Sequence, residues 1–203
     1  MNFLAHLYLS GNHPKIMVGN FIGDFVKGRN LYDQYEYEIA VGIELHRALD
    51  EFTDHHPAVQ QGKIRLRARY RHYAGVIIDI FYDHFLARNW NNHHETLLPD
   101  YAEQVYRLME QHENILPDEV KYMLSFMTKG NWLVNYARLE GIDRALKGMA
   151  RRTTHISNME HAVEDLNIFY DRFLEEFNLF FPDAKKFAAL WLEQKNSATN
   201  MNR

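Results

Sequence analysis

The 203-residue chain contains no cysteine, which excludes thiol nucleophiles, cysteine-ligated zinc, iron–sulfur clusters and a disulfide scaffold. Proline (5 residues) and glycine (10 residues) are sparse, leaving few places for a flexible linker or a series of tight turns. No apolar run approaches the roughly 20 residues needed to span a bilayer. The opening Met1-Asn2-Phe3-Leu4-Ala5-His6-Leu7 lacks the basic segment and long apolar core of a signal peptide, so no membrane attachment and a cytoplasmic location are expected. The net charge of −4 lacks the basic excess usual for a nucleic-acid binder. Several catalytic templates are also missing: Glu-x-x-His of ferritin-like di-iron proteins, His-Glu-x-x-His, Gly-x-Ser-x-Gly and the Walker A sequence.

What remains is helical periodicity almost from end to end. The reading is an all-α, single-domain helical bundle over residues 1–195, with a polar, frayed tail over 196–203. Pro14, Pro57, Pro99, Pro117 and Pro182 are expected at or near helix starts, where a missing N–H costs nothing. On this reading one long amphipathic helix ends at Phe181 and Pro182-Asp183 opens the last one. Phe169, Phe173, Phe177 and Phe180 recur at helical spacing and belong to the core.

Charge is distributed unevenly. No acidic residue occurs from His55 to Ile78, where Lys63, Arg65, Arg67, Arg69 and Arg71 alternate with other residues. From Glu160 to Asp183 the bias reverses, with seven acids against Arg172 alone. The basic strip reads either as a solvated helix face or as a surface for an anionic partner.

Chemistry concentrates in four apolar stretches. In Gly42-Ile43-Glu44-Leu45-His46-Arg47-Ala48-Leu49-Asp50-Glu51-Phe52-Thr53-Asp54, His46, Asp50 and Asp54 stand four residues apart. On a helix their Cβ atoms stack roughly 5–6 Å apart, a spacing suited to ligands of one divalent cation. Asp79 and Asp83, with His84 beside them, punctuate the apolar Gly75–Leu86 segment. A buried carboxylate there needs a metal, an arginine, a proton or backbone donors. Asp24 is the only charge in Met17–Val26, with Asn20 one turn earlier, and His6 sits among Phe3, Leu4, Ala5 and Leu7. A sulfur-free set of imidazoles and carboxylates suits Mn²⁺, Mg²⁺ or Fe²⁺, with Zn²⁺ possible. The other histidines lie mostly in polar or turn contexts and read as surface residues.

Met1 to Leu7, Gly19-Asn20-Phe21-Ile22-Gly23-Asp24-Phe25-Val26-Lys27-Gly28, Gly42 to Asp54, Asp79 to Leu86 and Gly148-Met149-Ala150-Arg151-Arg152 together resemble the bacterial acyl carrier protein phosphodiesterases. The resemblance runs in order along most of the chain. It implies hydrolysis of the phosphodiester joining 4'-phosphopantetheine to a serine of holo acyl carrier protein, by a manganese-dependent, distant relative of the HD phosphohydrolases. It further implies that His6, Asp24, His46, Asp50, Asp79, Asp83 and His84 form the metal centre and its surround. Asp24, His84 and His6 are the candidate catalytic residues, an Asp ligand or neighbour taking the water's proton and a histidinium protonating the leaving group. The chain has no adjacent His-Asp pair, so the usual HD ligand dyad would be shared by separated residues. Arg71, Arg151 and Arg152 are candidate phosphate ligands, and Lys63, Arg65 and Arg69 a candidate docking face for an acidic carrier protein. Two other expectations remain open: a metal-dependent phosphohydrolase of a nucleotide or other small phosphoester, and a helical module that binds a carrier protein without turnover.

Overall fold

The structure, a computed structural model, describes residues 1–201, and all regular elements among them are helical. In order they are α1 (Phe3–Leu9), α2 (Pro14–Ile22), α3 (Tyr37–His55), α4 (Pro57–Tyr70), α5 (Ala74–Arg88), α6 (Leu98–Gln111), α7 (Asp118–Gly130), α8 (Trp132–Asn135), α9 (Leu139–Ala150), α10 (Ala162–Ile168) and α11 (Tyr170–Met201). Short 3₁₀ turns at Gly23–Phe25 and Arg71–Tyr73 join α2 to the loop before α3, and α4 to α5. Pro14 and Pro57 open their helices as expected, and Pro117 is the residue before α7.

The centre of the bundle is α5, whose Ile77, Ile78, Ile80, Phe81, Tyr82, Phe85 and Leu86 are all buried. On one side α11 lays Phe173, Phe177, Phe180 and Phe181 into the same core. Elsewhere in the bundle α2 and α3 cross at very close range. A Cβ at Gly19 would lie 2.0 Å from the Ile39 carbonyl oxygen, and one at Gly42 would lie 2.2 Å from that of Ile16. Glycine at both positions lets the two backbones touch.

Two boundaries differ from expectation. Pro182 does not open a helix; it lies inside α11, which continues to Met201. Proline inside a helix costs about 3 kcal/mol, whereas burying each large aromatic contributes about 1.5–3 kcal/mol. The buried stripe runs through Phe173, Phe177, Phe180 and Phe181 to Ala184 and Ala188, so packing on both sides of the proline outweighs the lost hydrogen bond. The stretch before it is not continuous either, because α10 ends at Ile168 and α11 begins at Tyr170. Of the polar tail expected over 196–203, the helix includes residues up to Met201, and the last two positions lie outside the described residues.

The two oppositely charged segments face each other. Arg65 forks onto Glu176 with N–O distances of 3.0 and 2.7 Å, and Arg69 reaches Asp165 and Glu164 at 2.8 Å each. Bidentate pairs of this kind fix orientation as well as charge. Arg65 and Arg69 thereby pair with acids of the same chain.

Candidate metal centre

Where α1, α2 and α3 meet, two imidazoles stack with ring centroids 4.0 Å apart and planes 15° apart: His6 from α1 and His46 from α3. Asp50, one turn beyond His46, bridges them, its Oδ1 lying 3.1 Å from His6 Nε2 and its Oδ2 3.2 Å from His46 Nε2. Asp24, from the turn after α2, brings Oδ1 to 3.1 Å from His46 Nε2. The α-ammonium group of Met1 lies 3.3 Å from Asp50 and 3.2 Å from Asp79.

Asn20 sets the orientation of both rings. Its side-chain nitrogen donates to the His6 carbonyl at 2.8 Å and to Ser10 Oγ at 2.9 Å, so its side-chain oxygen faces His6 Nδ1 at 2.8 Å. That nitrogen must therefore carry the proton. His46 Nδ1 donates to the Asn20 backbone carbonyl at 2.8 Å. In both rings Nε2 then points into the cluster, as in imidazoles whose outer N–H is fixed by a neighbouring carbonyl.

Both Nε2 atoms meet acceptors. His6 Nε2 faces the Met1 carbonyl at 3.0 Å as well as Asp50. Burial, followed by the charge of His46, holds the His6 pKa down to about 4, so near neutral pH this nitrogen has no proton to share. His46 Nε2 is buried without an aligned hydrogen-bond partner, although two carboxylate oxygens lie within 3.2 Å. Burial opposes charge on His46, but the carboxylates of Asp24 and Asp50 outweigh it and raise the pKa to about 9. Burial likewise disfavours the Asp50 anion, yet His46, His6 and the Met1 ammonium together hold its carboxyl far below the usual range. Asp24 is also held low, first by its contact with His46. Two inward Nε2 atoms, that of His46 protonated near neutral pH in the ion-free protein, meet two carboxylates, and one ligand atom each from His6, His46 and Asp50 lie within 4.8 Å of one another. A divalent cation fits this donor set.

The other predicted residues divide among separate roles. Asp54, third on the ladder, turns away to Lys63 at 2.6 Å. Asp79 borders the cluster through Met1; burial raises its pKa, and the ammonium opposes that rise. Asp83 stands outside the ligand set, because its two oxygens accept the N–H groups of Leu4 and Ala5 at 2.8 and 3.0 Å. It caps the first turn of α1 from a neighbouring helix, and burial raises its pKa to about 7. His84 is likewise committed elsewhere, to the Tyr136 carbonyl at 2.8 Å and the Tyr170 hydroxyl at 3.2 Å. Burial lowers its pKa, so it is poorly suited to the acid role expected from sequence. Arg151 and Arg152 follow directly on α9; Arg152 Nε donates back to the Gly148 carbonyl and borders a different pocket, beside Trp132 and Tyr136.

Asn20 was noted in the sequence only as a companion of Asp24. An amide within the apolar Met17–Val26 segment is the available signal, since such a group once buried must find several partners. For the cap, Asp83→Ala is expected to destabilise the protein by about 2–4 kcal/mol, the cost of leaving two buried N–H groups unpaired. Chemical denaturation would measure it, and a loss under about 0.5 kcal/mol would show that the cap contributes little.

A family model described as acyl carrier protein phosphodiesterase matches residues 1–184. The chain is 37% identical over 183 residues to a protein of that name from Photorhabdus laumondii, covering 90% of this chain and 92% of the relative. It is 33% identical to proteins of the same name from Yersinia enterocolitica and Escherichia coli, over 90% of this chain and 94% of each relative. No solved structure gives a significant match. No described helix is long and apolar enough to cross a membrane. Full-length similarity and the matching family model lead to one assignment: the chain belongs to the acyl carrier protein phosphodiesterase family.

Proposed function

We propose that this protein hydrolyses the phosphodiester between 4'-phosphopantetheine and the serine of holo acyl carrier protein, using a divalent ion, Mn²⁺ first among the candidates. Membership of the family supplies the substrate. The observation that carries the metal requirement is the pair of inward Nε2 atoms on His6 and His46, gathered around Asp50, with an incoming ion displacing the proton of His46. His6, His46, Asp50 and Asp24 would hold the ion. Once bound, it would polarise a phosphoryl oxygen and lower the pKa of a nearby water.

The protein groups have distinct tasks in this reading. Asn20 fixes both imidazoles, and Asp50 bridges them. The Asp24 side chain is 66% exposed, which gives it access to solvent, so it is the carboxylate placed to accept the proton of the attacking water. In the net reaction the water oxygen joins phosphorus, the bond from phosphorus to the serine oxygen breaks, and the serine oxygen takes up a proton. The products are apo carrier protein and 4'-phosphopantetheine.

The direct test is the mass of holo carrier protein after incubation with the enzyme. Loss of the phosphopantetheine mass is expected with Mn²⁺ and not with a chelator, and Asp24→Ala is expected to suppress it while remaining folded. No mass loss from a metal-loaded, folded enzyme would overturn the carrier-protein assignment. Mass loss undiminished by the chelator would overturn the metal requirement.

A further inference from the structure

The basic strip is two faces, not one. Arg65 and Arg69 point to α10 and α11 and are neutralised there. Lys63, Arg67 and Arg71 stand four residues apart along α4 and its end, so they share the other face. All three line a cleft of about 430 Å³ between α4 and the start of α5, together with His72, Asp54 and Asp79. Through Asp79 this cleft adjoins the candidate metal centre, because Asp79 and Asp50 are joined by the Met1 ammonium.

Its charge is unbalanced in one direction. Asp54 is paired with Lys63 at 2.6 Å, and Asp79 with the Met1 ammonium at 3.2 Å. Arg67 and Arg71 make no ion pair among the described residues, and both are exposed. Two guanidinium groups therefore face the cleft uncompensated. Arg71 also has φ +51° and ψ −122°, a backbone state that favours glycine, and such strain in a non-glycine residue persists where surrounding structure enforces it. Glycine would suit the turn better, yet the residue there is the one that supplies a fork of N–H donors.

We propose that this cleft is a phosphate-binding subsite, in which Arg67 and Arg71 hold the phosphodiester of the substrate beside the metal centre. Planar guanidinium groups grip phosphate oxygens two at a time, which a lysine ammonium cannot do. The proposal deepens the phosphodiesterase reading and rests on it for the identity of the substrate, but phosphate binding can be measured without turnover.

The experiment is calorimetric titration of inorganic phosphate into the metal-free wild type, Arg67→Gln, Arg71→Gln, Arg71→Lys, the double Gln variant and Arg71→Gly. Kinetics of holo carrier protein follow in parallel. The double variant should lose at least tenfold in phosphate affinity and show a raised KM, and Arg71→Lys should restore only part of either. Arg71→Gly should lose affinity while its melting temperature stays level or rises, which separates anion binding from a purely structural role. Failure of the wild type to bind phosphate, or unchanged affinity in the folded double variant, would overturn the subsite. Arginine-dependent phosphate binding by a wild type that leaves holo carrier protein intact would support the subsite and overturn the carrier-protein assignment instead.

Discussion

Asp50→Asn is expected to lower kcat/KM for holo carrier protein by about 10²–10³-fold at saturating Mn²⁺, with the helical content unchanged. Asparagine keeps the size of the side chain but removes the charge, and it cannot present two anionic oxygens to both imidazoles. Among the described residues Asp50 alone approaches both His6 Nε2 and His46 Nε2 through opposite oxygens. Lewis-acid stabilisation by a well-held ion is worth several kcal/mol, and about 1.4 kcal/mol corresponds to tenfold in rate. Steady-state kinetics beside circular dichroism would check this. Activity within threefold of wild type would remove Asp50 from the ligand set.

The same geometry fixes a pH dependence. His46 has its folded-state pKa raised to about 9 from an ordinary 6.5. In the protein alone its stabilising contribution is therefore present below about pH 6.5 and lost as pH rises through about 9. An incoming ion needs the Nε2 lone pair that this proton occupies. Metal affinity should accordingly climb by up to about tenfold per pH unit between roughly pH 7 and 9, with release of a proton on binding. Mn²⁺ titrations in two buffers of different ionisation enthalpy would count that proton, and a flat affinity across the window would contradict the role given to His46.

Much of the site was legible because apolar helices with inward polar residues are conspicuous. His6, Asp24, His46 and Asp50 are individually anomalous in their segments, and the fold brings all four together. Asp83 and His84 carry the same signal for a different reason. A buried carboxylate satisfied by two backbone N–H groups looks, in one dimension, like a buried carboxylate satisfied by a metal. Spacing along α5 cannot say that Leu4 and Ala5 lie opposite. The basic strip shows the same limit of one dimension: alternation at 63, 65, 67, 69 and 71 reads as one patch on paper, but a helix sends those positions to two faces. Pro182 misled because local propensity is weaker than the aromatic stripe that carries α11 past it.

Gly42→Ala is expected to cost about 3 kcal/mol or more, the upper end of overpacking effects, and thus to lower Tm by about 6–12 °C for a domain of this size. The reason for the upper end is what the new methyl group would strike. Its nearest neighbours are the Ile16 carbonyl oxygen at 2.2 Å, Asn20 N at 2.8 Å and Gly19 Cα at 2.8 Å, all backbone atoms that no rotamer change can move. Relief must come from α2 shifting away from α3 as a body. That shift would carry Asn20 and Asp24 away from His46, so activity should fall by more than the unfolded fraction at the assay temperature explains. Gly148→Ala on α9 is the matched control, because a Cβ there meets nothing within 4 Å; its expected effect is neutral to about 1 kcal/mol stabilising, from helix propensity alone. Calorimetry of both variants with kinetics at 25 °C separates the cases. Similar melting temperatures for the two would mean that α2 and α3 do not depend on glycine contact to hold the centre together.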